Sequence, residues 1–409
     1  METVRIYRLA GLRPSVRAHL REAQMEAARV WTLCRDWHLS ARQQRTRWPN
    51  RDDLQQATKG QFALHSQTVQ MICHAFLANI ETTRELRKTN PKIRYPWKDK
   101  RYYPLYWPAQ AVSRERGRVV LPMGRGRPSL VFRLELPEHS GACKLVWNDG
   151  YELHVAVPAA LASDRPGQAQ ATVDLGEIHQ AAVTTNTGAA LVISGRGIRS
   201  LKRQHHMALG QLAKKRKRCQ KGSRRYRKLQ AARRKVSARK RRQIRDLRHK
   251  GTRAVIAFCQ QQGVGSLFIG NPHGVRNRDS GRHHNQRMSH WEYGQDIAYL
   301  SYKSQLARIE SFTGSERGTS SQCPVGGWQQ KVRGRVWRCR RPSCSFVGHR
   351  DVVGSVNRHP LAFGNQIDFP AQVTSQRPGP IRVPARTEQP GRVQRRRHVV
   401  VARTRATSG

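Results

Sequence analysis

Acidic residues are scarce in this 409-residue sequence: 26 Asp and Glu stand against 77 Lys and Arg, a formal net charge of +51. A chain so unbalanced repels itself unless a polyanion neutralises it, and nucleic acid is the long polyanion of a cell. The other reading of the composition is a cationic secreted or membrane-active protein. Against it, the opening METVRIYRLAGLR interrupts its short apolar stretch with charges and reads as no secretory leader. Long apolar runs are missing too, and none approaches the roughly 20 residues that cross a bilayer. Eight scattered cysteines make no disulfide framework. These absences lead to the expectation of a soluble, cytosolic protein in a reducing compartment, with no membrane partner. The 37% hydrophobic content excludes a wholly disordered chain, and the length allows roughly two to three domains.

Hydrophobic spacing predicts a strand over 4–9, then helices over about 15–40 (Ala23, Ala27, Val30, Trp31, Cys34, Trp37) and about 61–88 (Val69, Ile72, Cys73, Phe76, Ile80). The polar stretch between them reads as a loop. From about 117 the period becomes two, with strands over 130–136, 143–148 and 151–157, the last two joined at the hairpin signal Asn148-Asp149-Gly150. Tyr102, Tyr103, Tyr106 and Trp107 read chiefly as packing residues, with base stacking as the alternative. The second half opens with TVDLG, AAVTTN and AALVIS, three strands with hairpin links. Residues 201–250 then hold 22 Lys and Arg and one acid, Asp246, in two helices broken at Lys221-Gly222-Ser223. A solvated helix normally mixes charge signs. The stretch is therefore expected to face a polyanion, through Lys214, Lys215, Arg224, Arg225, Arg233, Arg234, Arg241, Arg242 and Lys250. A strand at 266–270, a loop, a helix from about Ser289 to Phe312, a cysteine-bearing stretch over 323–344 and a helix from about Asp351 follow.

Where acids are scarce, each one is informative. Asp174 ends an apolar strand, where a carboxylate costs free energy unless paired or bound to a cation; a turn cap at Gly176 is the alternative. Asp351 stands at a helix start, where Asp also serves as a cap. In a strand-hairpin-strand-helix-strand-helix order, the two together suggest an RNase H-like arrangement, whose carboxylates converge on two divalent ions.

Several motifs then come in a telling order: DLG at Asp174, the basic helical pair with its KGS break, His249-Lys250, Tyr302-Lys303, GTSSQC at 318–323, WRC at 337–339 and HRDVVGSVN. Over about 170–360 the sequence resembles the RuvC-type nuclease half of TnpB, the transposon-encoded RNA-guided nuclease related to compact type V CRISPR effectors. The resemblance implies an α+β, multidomain protein. Its parts would be a β-barrel-like wedge module (1–12 and 95–160), a helical recognition insertion (13–94), a RuvC-like α/β nuclease domain (170–315 and 346–360) and a zinc-ribbon-like insertion that binds target nucleic acid (316–345). The Pro-, Arg- and Gln-rich composition beyond about 360 reads, independently of the resemblance, as a disordered basic tail (361–409). The resemblance also implies an endonuclease that pairs a guide RNA with double-stranded target DNA and cuts with Mg2+ or Mn2+. Whether it acts as a monomer or a dimer stays open.

Two departures stand out. The family's second carboxylate is a strand Glu where this chain has Gly270. Among the acids between His249 and Asp351, namely Asp279, Glu292, Asp296, Glu310 and Glu316, the replacement is expected at Glu292, so Asp174, Glu292 and Asp351 would hold the catalytic ions. The rival for Glu292 is a capping box with Ser289, and Asp296 is a weaker candidate. The family's four-cysteine ribbon is here Cys323, Cys339 and Cys344, with Gly326 at the fourth position. Zn2+ could be held if His349 joined them, and a metal-free ribbon is the alternative. Two further functions remain open: an RNA-guided DNA binder that no longer cuts, and, fitting the motifs less well, a DNA-strand transposase.

Overall fold

The fold is a computed structural model that describes residues 2–379, apart from 116, 164, 165, 276–278, 317 and 333, together with 403 and 404. It is a mixed α/β structure with several sheets, and the chain divides into two compact units, 1–159 with 390–409, and 160–389. Among the described residues no helix is long and apolar enough to cross a membrane.

In the first unit, β1 (Glu2–Leu9) leads into three helices, α1 (Pro14–Gln43), α2 (Arg51–Thr58) and α3 (Ser66–Thr89). Six strands follow: β2 (Leu105–Trp107), β3 (Ser113–Glu115), β4 (Arg118–Leu121), β5 (Leu130–Arg133), β6 (Cys143–Trp147) and β7 (Tyr151–Pro158). One antiparallel sheet has the order β1-β7-β6-β2, and β3, β4 and β5 pair in a second. The helix α2 lies where the polar composition predicts a loop. A capping box explains it: the Asn50 side chain accepts from the Asp53 amide at 3.0 Å, and the Asp53 carboxylate accepts from the Asn50 amide at 2.7 Å. The β6–β7 hairpin turns at Asp149 and Gly150, both at positive φ, as Asn-Asp-Gly predicts. Trp107 and Tyr103 are buried in the core with Trp31 and Phe76, Tyr106 packs against it, and Tyr102 is exposed and accepts from Arg21.

The second unit is built on β8 (Ala169–Leu175), β9 (His179–Thr185), β10 (Ala190–Ser194), β11 (Val264–Asn271) and β12 (Glu310–Ser315). The strands β8, β9 and β10 are antiparallel neighbours, β11 and β12 add in parallel on the β8 side, and β8 is interior. Two long helices, α4 (Arg196–Lys217) and α5 (Arg224–Gln261), lie between β10 and β11; α6 (Arg282–His290) and α7 (Tyr293–Leu306) lie between β11 and β12. Then come a two-stranded sheet of β13 (Val336–Arg338) and β14 (Val347–His349), helices α8 (Arg350–Val356) and α9 (His359–Phe363), and β15 (Val373–Gln376).

The sheet has two faces. Val173, Ala181, Val183, Ile193, Leu267 and Ile269 point to one face and form a core with Val255 and Cys259 of α5 and Leu300 of α7. The alternate residues Ala182 and Val192 pack on Val352 and Val356 of α8 on the other.

Two expectations fail here. The single helix over Ser289–Phe312 is instead α6, a break at Trp291 and Glu292, α7 and then β12, because 310–315 pair in parallel with β11, Phe312 opposite Phe268 and Gly314 opposite Gly270. The tail expected to be disordered from 361 begins as structure: α9 ends at Phe363, and β15 pairs in parallel with β10. An available edge on β10 explains β15. Residues 380–409 lie outside the described residues except for 403 and 404.

Candidate active site and nucleic-acid interface

Asp174 lies near the end of β8 on the face that carries α8, where a buried polar network fixes the approach of that helix. The Thr172 hydroxyl donates to the Ser355 carbonyl at 2.7 Å, the Ser355 hydroxyl donates to the Thr172 carbonyl at 2.8 Å, and the Thr184 and Ser355 hydroxyls are 2.8 Å apart. Gly354 permits the contact, since a Cβ there would stand 3.3 Å from Asp174 Oδ2. Asp351, in the first turn of α8, is thereby held close enough for its charge to act on Asp174.

The further acid that the structure brings beside Asp174 is Glu316. In register, Ile269 of β11 pairs with Val173 and Gly270 pairs with Gly314 of β12, so Gly270 stands beside Asp174 on the same face. Glu316 follows β12 directly and fills the space a side chain at Gly270 would take: a Cβ there would meet Glu316 Oε2 at 2.7 Å. Between the two acids lies Arg358, 1% exposed, whose Nη2 is 2.5 Å from Asp174 Oδ1 and 3.1 Å from Glu316 Oε2. Burial pushes Glu316 up to about 8, with Arg358 opposing and Asp174 adding to the rise. Burial likewise raises Asp174 against the pull of Arg358. Asp351 behaves differently: burial would raise it, but its hydrogen bond with His179 and the charge of Arg335 outweigh that and hold it below the usual range. His179 Nδ1 lies 2.6 Å from Asp351 Oδ2, and Arg335 donates to both oxygens at 2.9 and 3.0 Å.

Glu292 is not with these residues. Its carboxylate pairs with Lys202 and Arg248, each at 3.1 Å, and Arg248 also faces Asp296, which accepts from Gln180. Because α5 and α7 cover the opposite face of the sheet, Glu292 and Asp296 stand across it from Asp351. Asp296 lines a cavity of about 620 Å³ with Lys202 and Arg248. The capping box with Ser289 is absent as well: the helix starts later, and the Ser289 hydroxyl donates to the Gln286 carbonyl. Sequence reasoning passed over Glu316, whose signal was the period-two run Phe312, Gly314, Glu316 ending beside the strand glycine.

A β-bulge turns His179 toward Asp351. Ile193 pairs with Ala181, but Ser194 pairs with His179, which leaves Gln180 as the extra residue. Gln180 and Ala181 therefore both reach the α5–α7 face, while His179 returns to the α8 face.

The thiols of Cys323, Cys339 and Cys344 lie together, with Cys323 and Cys344 Sγ 3.8 Å apart. Gly326 is where a fourth would stand, since a Cβ there lies 3.9 Å from Cys344 Sγ. His349 does not complete this group; it clusters with His179 and Asp351. Three thiols are one short of the four ligands usual for structural zinc.

The basic stretch folds as the expected pair. The α4 helix ends at Lys217, Gly222 takes positive φ, and the Ser223 hydroxyl accepts from the Tyr226 amide at the start of α5. Cross-links between His205 and Ser237 and between Gln204 and Lys240 make the pair an antiparallel hairpin. Lys214, Lys215, Arg224, Arg225, Arg233, Arg234 and Arg241 are exposed, and Arg242 is half-buried. Lys250 is engaged, at 2.8 Å from Asp246 and donating to the Gly379 carbonyl at 3.1 Å. His249 stacks on Tyr299, and Lys303 donates to the His249 carbonyl, so these motif residues join α5 to α7.

Comparison with known proteins places these features. The family model OrfB_IS605, described as a probable transposase, matches residues 152–276, and a Cas12f1-like TNB domain model matches residues 293–358. No curated protein matches the chain. Among solved structures it is similar to the protein of a Cas12f1-sgRNA-target DNA complex, with 14% identity, a TM-score of 0.36 and coverage of 87% of this chain and 98% of that one. It is also similar to that of a CRISPR-Cas12f ternary complex, with 12% identity, a TM-score of 0.39 and coverage of 84% and 81%. The two family models bear out the resemblance of the motifs to TnpB and to compact type V effectors.

Proposed function

We propose that this chain is an RNA-guided DNA endonuclease with a single RuvC-like site made by Asp174, Glu316 and Asp351. The observation that carries the reading is the position of Glu316, which supplies a carboxylate where strand β11 has Gly270. The strand order β10-β9-β8-β11-β12, three antiparallel and two parallel, supports an RNase H-like domain around it. The donor chemistry fits hard divalent cations: three carboxylates stand together, and a cation that displaced the Glu316 proton would be met by three negative charges against the two contacting guanidinium groups. Mg2+ or Mn2+ held there would activate water and stabilise the leaving oxygen of a phosphodiester. Arg335, half-exposed beside Asp351, is available to pair with a phosphate. The exposed cations of α4 and α5 would carry guide RNA or the heteroduplex by backbone charge, with sequence read by base pairing.

The test is cleavage of a plasmid library by the purified ribonucleoprotein with Mg2+. Cleavage by the native chain that disappears in Asp174→Asn, with nucleic-acid binding retained, is the expected result; an Asp174→Asn variant that still cuts sinks the assignment.

A second reading has its own observation. Arg358 is buried between Asp174 and Glu316 and compensates them without a metal, which suits a target-binding protein that does not cut. Protection of the target without cutting by the native chain, together with metal binding that appears in Arg358→Gln, favours it.

A further inference from the structure

We propose that His179, His349 and Asp351 form a mixed imidazole–carboxylate site for a divalent transition-metal ion, in preference to Mg2+. The inference deepens the nuclease reading by naming the class of metal at the Asp351 end of the site, and it rests on that reading only for the use of the ion in cleavage.

One ligand atom from each residue lies within 4.8 Å of the other two, close enough for small side-chain shifts to bring all three onto one ion. The imidazole rings of His179 and His349 lie with centroids 5.0 Å apart, tilted at 55° to one another. Each donor is fixed by a different element. His179 is aimed by the bulge in β9, His349 ends β14 in register with Val336, and Asp351 opens α8, whose packing the Thr172–Ser355–Thr184 network locks.

The chemistry then decides the ion. Mg2+ prefers oxygen ligands and releases its waters reluctantly. Imidazole nitrogens with a carboxylate suit borderline transition metals, and two histidines with one carboxylate leave positions open for water or a phosphate oxygen. The competing occupant is Arg335, which donates to both Asp351 oxygens. Its side chain is 38% exposed, so it can swing into solvent.

Mn2+ is the suitable probe, because the Cys323–Cys339–Cys344 cluster would take Zn2+ or Co2+ while thiolates compete poorly for Mn2+. The full-length chain, stripped with a chelator, is titrated with Mn2+ and followed by electron paramagnetic resonance, with pulsed detection of nitrogen couplings. Imidazole nitrogen couplings in the native protein are expected. They should be lost in His179→Asn with His349→Asn, with at least a tenfold fall in Mn2+ affinity and a less than twofold change in Mg2+ affinity. Bound Mn2+ without nitrogen coupling, or no Mn2+ binding, overturns the proposal and leaves a hydrogen-bonded His–Asp pair. The native spectrum alone decides this if the double variant fails to fold. Nitrogen coupling in a protein that never cuts keeps the site and rejects the nuclease reading; cutting without nitrogen coupling does the reverse.

Discussion

The α4–α5 hairpin and the carboxylate cluster on the α8 face of the sheet handle charge in opposite ways. On the hairpin, like charges stand exposed along two helices with few acids to pair with, so their compensation has to come from outside the chain. In the cluster, unlike charges are buried and already compensated in part, Asp174 and Glu316 by Arg358 and Asp351 by Arg335. Exposed charge acts at long range and is screened by salt; buried charge acts at contact and is set by desolvation. One region should therefore respond to ionic strength, and the other to pH, single atoms and metal.

The sharpest separation comes from isosteric variants. Glu316→Gln is expected to reduce metal-dependent cleavage on the order of a thousandfold, as loss of a main electrostatic group does, while binding of nucleic acid changes less than twofold. Glu292→Gln, across the sheet, should leave the cleavage rate within twofold. Single-turnover cleavage beside filter binding measures both, and a reversed ranking returns the third carboxylate to Glu292. Alanine is the poorer choice at Asp174, because it removes a hydrogen-bond acceptor from the buried Arg358, which Asn keeps, and so confuses catalysis with stability.

Replacing Lys214, Lys215, Arg224, Arg225, Arg233 and Arg234 with Gln should act through the other region. If all six contact phosphates, the slope of log affinity against log salt falls by about five. Cleavage at saturating nucleic acid should be nearly unchanged. An unaltered slope would take the polyanion away from this hairpin.

The pH dependence belongs to the cluster. Because Glu316 is raised to about 8, it carries a proton near neutral pH that a cation must displace. Release of that proton should make apparent metal affinity rise about tenfold per pH unit up to about 8, with the raised Asp174 adding to the slope wherever it is also protonated. Calorimetry at pH 6.5, 7.5 and 8.5 measures this, and Glu316→Gln should reduce the slope between 6.5 and 7.5 by about one proton.

The smallest effect on cleavage is expected from Gly326→Cys. A fourth thiol beside Cys344 should raise zinc content toward one ion per chain by mass spectrometry and stabilise the ribbon, with the cutting rate little altered. Unchanged zinc content would place the fourth position elsewhere.

Much of the scaffold was legible because local rules decide it. Helical spacing found α1 and α3, Asn148-Asp149-Gly150 found the β6–β7 turn, and Lys221-Gly222-Ser223 found the break between α4 and α5. The capping box that makes α2 is also local, although the polar composition around it predicts a loop. The strand character of 310–315 was harder, since Phe312 and Gly314 declare themselves only against Phe268 and Gly270 on a neighbouring strand.

The sequence by itself determined the charge imbalance, where the cations would be exposed, and that Asp174 and Asp351 are acids in apolar settings. Those properties depend on composition and short-range spacing. Only the tertiary structure decided which acid joins them. Glu292 and Glu316 lie on segments flanking the same helix, α7, and the faces of a sheet separate them: one meets Lys202 and Arg248, the other enters the space left by Gly270. Which face a side chain joins depends on strand register and on one bulge, and both are fixed by partners distant in the chain.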